Sequence, residues 1–267
     1  MVLESVLGTA IGLVMGLTGA GGGILAVPAL VVALGVDMVT AAPVALIAVG
    51  LSAMLGAIDG LRRGWVRYKA AMLMSVVGGL LSPLGAAIAR LLPVGLLMII
   101  FGCVMLVVAF RSYQKATCSA DSENCENANK ACMLSPSTGR FIWNRRSALT
   151  LAGIGAVSGL FTGMLGVGGG FIIVPALQRF SNVSMHGIVA TSLMVIGLIS
   201  AVTVSQAVSL GLQWPTHLTW FVVFALVGMF AGRAVSPHLP ARTLQMAFAI
   251  VCVGVAFIIL AKGFGVL

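Results

Sequence analysis

Two copies of one glycine-rich string decide the fold: Gly16 to Leu30 reads GLTGAGGGILAVPAL, and Gly163 to Leu177 reads GMLGVGGGFIIVPAL. They share 9 identities over 15 positions at a shift of 147 residues, and a proline, Pro28 or Pro175, follows each glycine triplet. Each glycine disfavours a helix by about 1 kcal/mol relative to alanine. We therefore expect a helix, an unwound glycine turn, and a second short helix with the proline in its first turn.

The two glycine turns are the expected binding site. Bare backbone N–H groups at the start of a helix, at the positive end of its dipole, bind anions. In transporters, paired breaks at corresponding places in two halves point to the substrate site. The alternative is that the glycines only permit close helix packing. The candidate backbone donors are Gly21, Gly22, Gly23, Gly168, Gly169 and Gly170.

The composition is that of an all-α integral membrane protein. The 267 residues are 60% hydrophobic and 8% charged, whereas soluble domains are about one-quarter charged. The net charge of +9 is assigned to cytoplasmic loops, so the expected partner is the lipid bilayer and not a nucleic acid.

The apolar runs form about eight segments, arranged as two four-segment repeats. The constant shift of 147 residues predicts one duplicated unit, with a first transmembrane repeat over 1–111, a polar cytoplasmic linker over 112–147 and a second repeat over 148–267. The segments are expected near 5–34, 38–59, 69–90, 93–111, 148–178, 184–208, 215–237 and 240–262.

The first segment of each repeat is about 30 residues long, more than the ~20 that a straight span needs. Each either crosses once as a broken helix or re-enters as a hairpin with the glycines at its tip. The hairpin places 13 basic residues inside and 2 outside, against 11 and 4 for single crossings. The positive-inside rule therefore favours hairpins, and with them inverted repeats.

The linker carries Cys118, Cys125 and Cys132 in equal steps of seven. In a reducing compartment we expect free thiols, and the spacing is wider than that of zinc-binding cysteine pairs. Either these are ordinary linker thiols or they serve a redox or sulfur-handling role. No cofactor or metal site is expected.

These strings resemble the sulfite exporter TauE/SafE family of bacterial membrane proteins. The resemblance covers nearly the whole chain and is carried by the glycine strings ending in VPAL and by the run from Ala190 to Leu193, ATSL. It implies a transporter of small anions such as sulfite and organosulfonates in the cell inner membrane. The first repeat departs from this pattern, with Val44 and Ala45 in place of Thr191 and Ser192, so we expect an asymmetric site.

We expect hydroxyl donors to bind the anion together with the backbone N–H groups of the glycine turns. The alternative for each hydroxyl is a hydrogen bond to a carbonyl of its own helix. Two charged residues are further candidates. Arg233 either holds the anion or extends to the interface, and Asp59 either couples transport to protons or forms an interfacial ion pair beside Arg62. The candidate hydroxyls are Thr18, Ser158, Thr162, Thr191 and Ser192.

The function predicted from these features is secondary transport of a small anion, as export by alternating access around the two helix breaks. An anion channel and an uptake carrier of the same fold remain open alternatives. The chain has no nucleotide-binding loop, so ATP does not drive transport directly. A membrane enzyme would need intramembrane clusters of histidine, cysteine or acidic residues, which the sequence lacks.

Overall fold

The computed structural model describes residues 2–18, 23–36, 38–117, 144–181, 183, 185–209, 218–235 and 241–263. Within these ranges the chain forms ten α-helices and no β-strand. The helices are α1 Val2–Thr18, α2 Ala26–Ala33, α3 Met38–Arg62, α4 Tyr68–Leu91, α5 Val94–Thr117, α6 Arg145–Leu165, α7 Gly170–Phe180, α8 Met185–Ser209, α9 Leu218–Val235 and α10 Ala241–Gly263.

The helices confirm the prediction of an all-helical membrane protein. Large apolar side chains point outward, as on Leu80 (69% exposed) and Phe257 (63% exposed), which is the surface that lipid requires. Among the described residues, six helices are long and apolar enough to cross a membrane: Thr40–Arg62, Tyr68–Leu91, Val94–Gln114, Arg145–Leu165, Met185–Ser209 and Gln245–Gly263.

Both glycine-rich segments are divided into two helices. In the first, α1 ends at Thr18, and a 3₁₀ turn from Gly23 to Leu25 leads into α2. In the second, Gly166 ends α6 in the left-handed conformation and Gly169, also left-handed, caps α7. Residues 19–22, which include Gly21 and Gly22, lie outside the described ranges.

The two prolines differ in position. Pro28 lies in the first turn of α2, as predicted. Pro175 lies inside α7, beyond its first turn, so that prediction was wrong. The reason is that α7 begins at the last glycine of the triplet, Gly170, because the left-handed Gly169 caps the helix immediately. Pro175 therefore occupies a position whose N–H would otherwise bond the carbonyl of Phe171.

Four helix pairs form most of the packing: α1 with α9, α4 with α6, α5 with α10, and α3 with α8. In the first two pairs glycines bring backbones into contact. A Cβ on Gly159 of α6 would overlap the carbonyl oxygen of Gly78 on α4, and one on Gly12 of α1 would overlap that of Ala225 on α9. For these glycines, close packing is the correct interpretation.

The glycine contacts also fix the relative directions of the helices. Rising residue numbers meet rising numbers in α4–α6 and α1–α9, so these pairs are parallel, whereas α3–α8 and α5–α10 are antiparallel. The contacts that fix direction are Gly155 with Met74, Gly163 with Ser82, Gly8 with Phe221, Gly12 with Ala225, Gly50 with Ser200, Gly60 with Ala190, Gly95 with Gly263, and Gly102 with Leu260.

Candidate functional site

The two glycine-rich segments meet at Val49, midway along α3. A Cβ on Gly23 would lie 2.9 Å from Val49 Cγ1 and 3.6 Å from the carbonyl oxygen of Val167. A Cβ on Gly168 would lie 3.1 Å from the same Val49 carbon and 3.0 Å from Cγ2 of Ile196 on α8. Two segments far apart in sequence thus converge at one point in the middle of the protein.

The second glycine turn presents backbone donors. Gly166, Gly168 and Gly169 have φ values of 72°, 74° and 64°, which glycine alone adopts without strain. The carbonyl of Gly169 accepts the N–H groups of Ile172 and Ile173. For the N–H groups from Gly168 to Phe171, no acceptor lies among the described residues, so the start of α7 has the polarity of an anion site.

Two hydroxyls of α6, those of Ser158 and Thr162, lie against the second glycine turn at Gly169. The Thr162 hydroxyl donates to the carbonyl of Ser158 at 2.7 Å, a bond within its own helix. The Ser158 hydroxyl donates to the carbonyl of Gly169 at 3.4 Å, and a Cβ at position 169 would overlap it. Gly169 is therefore required both by its φ angle and by the space that Ser158 occupies.

Thr191 and Ser192 are buried but already hydrogen-bonded. The Thr191 hydroxyl accepts the backbone N–H of Arg67, in the α3–α4 loop, at 3.1 Å. The Ser192 hydroxyl donates to the Val189 carbonyl of its own helix at 2.8 Å. At 1.5 Å per residue, Thr191 lies about 14 Å along α8 from Ser200, which is beside the glycine turn.

Three buried serines that sequence reasoning missed have no hydrogen-bond partner among the described residues, and neither has the buried Nε of Arg67. The hydroxyls of Ser52, Ser75 and Ser200 are buried without a hydrogen bond, with 2%, 7% and 1% of each residue exposed. For Ser200, the signal in the sequence is a run of small residues on one face of α8, from Gly197 through Ser200 to Thr203. The Thr203 hydroxyl, by contrast, bonds the Ser82 hydroxyl at 2.5 Å.

The polar residues that are buried as a whole in the described ranges all carry hydroxyls, whereas Arg67 is half-buried and its Nε is buried without a partner among the described residues. Membrane-embedded charges mark ion and proton pathways in many transporters. Arg67 lies beside Thr191, away from the glycine turns, so the donors among the described residues at those turns are O–H and backbone N–H groups. The eleven buried hydroxyls are Ser52, Ser75, Ser82, Ser147, Ser158, Ser181, Ser192, Ser200, Thr162, Thr191 and Thr203.

The predicted charged candidates lie away from the glycine turns or outside the described part of the structure. Asp59, 37% exposed, pairs with Arg63 at 3.1 Å near the end of α3. The same arginine stacks on Trp65, 5.3 Å from the ring centroid. The side chains of Thr18 and Arg233 and the linker cysteines lie outside the described residues.

The model of the sulfite exporter TauE/SafE family matches residues 5–259 of this chain. The chain belongs to this family. A probable membrane transporter protein of Xylella fastidiosa (strain Temecula1 / ATCC 700964) is 28% identical over 256 residues, covering 95% of this chain and 92% of the relative.

The probable membrane transporter protein YunE of Bacillus subtilis (strain 168) is 26% identical over 268 residues, covering 94% of each chain. No solved structure matches significantly. Membership of the TauE/SafE family makes the chain a multi-helix membrane protein of a transporter family.

Proposed function

We propose that the protein is a secondary transporter that exports a small sulfur oxyanion, either sulfite or an organosulfonate, across the bacterial inner membrane. The observation that carries the proposal is the convergence of Gly23 and Gly168 on Val49. Helix breaks at membrane depth persist where they line a cavity or are buried in protein, and in transporters they form substrate sites. Membership of the TauE/SafE family supports the choice of substrate class.

The binding site in this proposal is the meeting point of the glycine turns. The backbone groups from Gly21 to Gly23 and from Gly168 to Gly170 face the anion. Thr18 and Thr162 flank the two turns, and Thr191 with Ser192 lie on the path along α8 toward the α3–α4 loop. Arg233 remains a further candidate contact.

We further propose that α1–α2 and α6–α7 are re-entrant hairpins entering from opposite sides. We call the end of the bundle formed by residues 62–69 the basic end. Because α4 and α6 are parallel, α6 also begins at the basic end. Because α3 and α8 are antiparallel, α8 begins there too. Residues 181–184 are too few to span a bilayer, so α7 returns to the end from which α6 entered.

The first hairpin belongs to the other end. α5 begins there, since α4 and α5 are joined by Leu92 and Pro93 alone. The antiparallel α10 therefore finishes there, and the ammonium of Lys262, in its last turn, donates to the Val31 carbonyl of α2 at 3.3 Å. Residues 236–240 are too few to cross a bilayer, so α9 ends at the basic end and the parallel α1 starts at the other.

This arrangement makes the two halves inverted repeats, as the charge distribution predicts. Arg145, Arg146 and Arg179 lie with the basic end, whereas Arg90 and Lys262 lie at the other. The positive-inside rule makes the basic end, and the 112–147 linker that leaves it, cytoplasmic. Opposed hairpins meeting at mid-depth allow one site to open alternately to each side.

Two open glycine positions test this topology. Gly35 and Gly64 both have left-handed φ angles, 64° and 69°, and a Cβ at either would meet nothing within 4 Å. In a cysteine-free background, Gly35→Cys should react with an impermeant maleimide added outside cells. Gly64→Cys should react only after the membrane is opened. Outside labelling of Gly64→Cys, or protection of Gly35→Cys, would exclude the proposed orientation.

Transport is tested with purified protein in liposomes. Labelled sulfite and methanesulfonate should each be moved with saturation, and counterflow should appear when unlabelled anion is loaded inside. Linear, non-saturating flux would favour the anion channel. Inside-out and right-side-out vesicles with an imposed proton gradient separate export from uptake and establish whether protons are the coupling ion. No flux of either anion would overturn the proposed substrate class.

A further inference from the structure

The hydroxyls of Ser52, Ser75 and Ser200 are buried and have no hydrogen-bond partner in the part of the chain that the structure describes. Burying a hydroxyl without a hydrogen bond is unfavourable, and most buried polar groups in proteins are therefore paired. Other hydroxyls here follow that rule, such as those of Thr162 and Ser192, which bond carbonyls of their own helices. Four exceptions occur among the described residues, these three hydroxyls and the Nε of Arg67, and the three hydroxyls suggest donors kept for a ligand.

Ser200 lies directly against the second glycine turn. Its Oγ would be 3.8 Å from a Cβ on Gly168, and 3.4 Å from a Cβ on Gly50 of the facing helix α3. The hydroxyl is thus enclosed between α3 and the turn, close to the N–H groups at the start of α7 that have no acceptor among the described residues. An oxyanion at the turn would lie within reach of both kinds of donor.

Ser52 lies at the same depth on α3. It is three residues after Val49, the residue that both glycine segments contact. Positions three and four apart on a helix share a face, so Ala45, Val49 and Ser52 lie in one stripe. Since Val49 contacts Gly23 and Gly168, Ser52 lies on the face of α3 that is directed at these two glycines.

Ser75 reaches the same depth from α4. Gly78 of α4 meets Ile199 of α8, and Ser82 bonds Thr203 four residues further along both helices. The two helices therefore run parallel, and Ser75, one turn before Gly78, lies level with Ile196. Ile196 in turn contacts Gly168.

We propose that Ser52, Ser75 and Ser200, with the N–H groups at the start of α7, form an uncharged donor set that selects a singly charged oxyanion over a doubly charged one. The inference rests on the proposed function and specifies its substrate: hydrogensulfite or a monosulfonate, but not sulfate. Three O–H donors on three helices match the three oxygens of such a group.

The charge preference follows from desolvation. The cost of moving an ion from water into a protein interior rises with the square of its charge in the Born treatment, and buried charges need compensation by paired charges or many hydrogen bonds. Around the glycine turns the described interior offers hydroxyls and backbone groups, whereas Arg67 lies beside Thr191, about 14 Å along α8 from Ser200. Such donors compensate one negative charge, whereas a second would remain without a counter-charge.

The test compares Ser200→Ala with Ser205→Ala on the same helix, where the Ser205 hydroxyl is exposed and bonded to the Val202 carbonyl at 2.8 Å. Methanesulfonate affinity and the thermal unfolding midpoint without anion are measured for both. Ser200→Ala should weaken methanesulfonate binding about 10- to 100-fold, the loss expected for a hydrogen bond to a charged group. Ser205→Ala should bind as wild type does.

Stability distinguishes a binding role from a structural one. Because the Ser200 hydroxyl has no partner to lose, Ser200→Ala without anion should unfold at the wild-type temperature or above it. Ser52→Ala and Ser75→Ala should behave in the same way. A lowered unfolding temperature with unchanged affinity would make these serines structural and overturn the inference.

Charge selectivity supplies the second readout. Methanesulfonate should compete with labelled sulfite at least 10-fold better than sulfate does, and lowering the pH should raise sulfite affinity because hydrogensulfite becomes the major species. Equal competition by sulfate would overturn the inference while leaving anion transport standing. A wild-type protein that moves none of these anions would overturn the proposed function, and the inference with it.

Discussion

Two regions of this protein are built from the same small residues but have different roles, one in helix packing and one in the proposed binding site. Along α4–α6, glycines let one backbone rest on the other, and an added Cβ at Gly159 would overlap Gly78. Around Gly168, the small residues leave buried hydroxyls and backbone N–H groups without acceptors among the described residues. The comparison teaches that a glycine in a membrane helix marks a contact or a site according to whether the neighbouring polar groups are already paired.

The largest effect on stability is expected at the contact between α4 and α6. Gly159→Ala places a Cβ against the backbone of Gly78, so α4 and α6 must separate, at a cost of about 3 kcal/mol. The unfolding midpoint in detergent should fall by several degrees. Gly153→Ala on the same helix is the control, because a Cβ there meets nothing within 4 Å. Equal midpoints for the two variants would mean that the α4–α6 contact is not rigid.

A smaller effect on the fold and a large one on transport are expected at the turn. In Gly168→Ala the Cβ approaches Ile196 and Val49 at 3.0 and 3.1 Å, and the left-handed conformation costs about 1–2 kcal/mol. We expect insertion to persist and flux to fall at least 10-fold. Gly35→Ala carries the same backbone strain with open space around it. Equal flux in both variants would show that the turn is not the site.

The Ser82–Thr203 pair gives an intermediate effect. Since the Thr203 hydroxyl donates to the Ile199 carbonyl, Ser82 must be the donor between the two hydroxyls. Ser82→Ala should lower stability by about 1 kcal/mol, the usual value of a hydrogen bond between membrane helices. A denaturation midpoint that Ser82→Ala leaves unchanged would show that this pair, unlike the helix backbones, contributes no stability.

The smallest effect is expected at the surface. Asp59→Asn removes an exposed ion pair with Arg63, worth a few tenths of a kcal/mol. Stability and the response of flux to a proton gradient should both stay near the wild-type values. Loss of the gradient response with intact substrate binding would instead identify Asp59 as the acid that couples transport to protons. The proton-coupling site would then lie at the end of α3.

The sequence was sufficient to predict the broken helices and the family, because glycine triplets in an apolar run have few structural solutions. It did not identify Ser200, since the equivalent residue of the first repeat is Ala53 and the internal comparison gives no signal. It did predict Thr191, whose hydroxyl the structure assigns to the Arg67 N–H. Such pairings depend on loops meeting helices distant in sequence, which no local pattern encodes.

Each of the four main helix pairs joins a helix of the first half to a helix of the second. This pairing has a consequence for how the chain is made. Gly8 of α1 contacts Phe221 of α9, so α1 finds its packing partner only after 213 further residues have been synthesised. Until then its glycine stripe faces lipid or an insertion factor. Assembly is consequently a late and cooperative event, and neither half completes its core without the other.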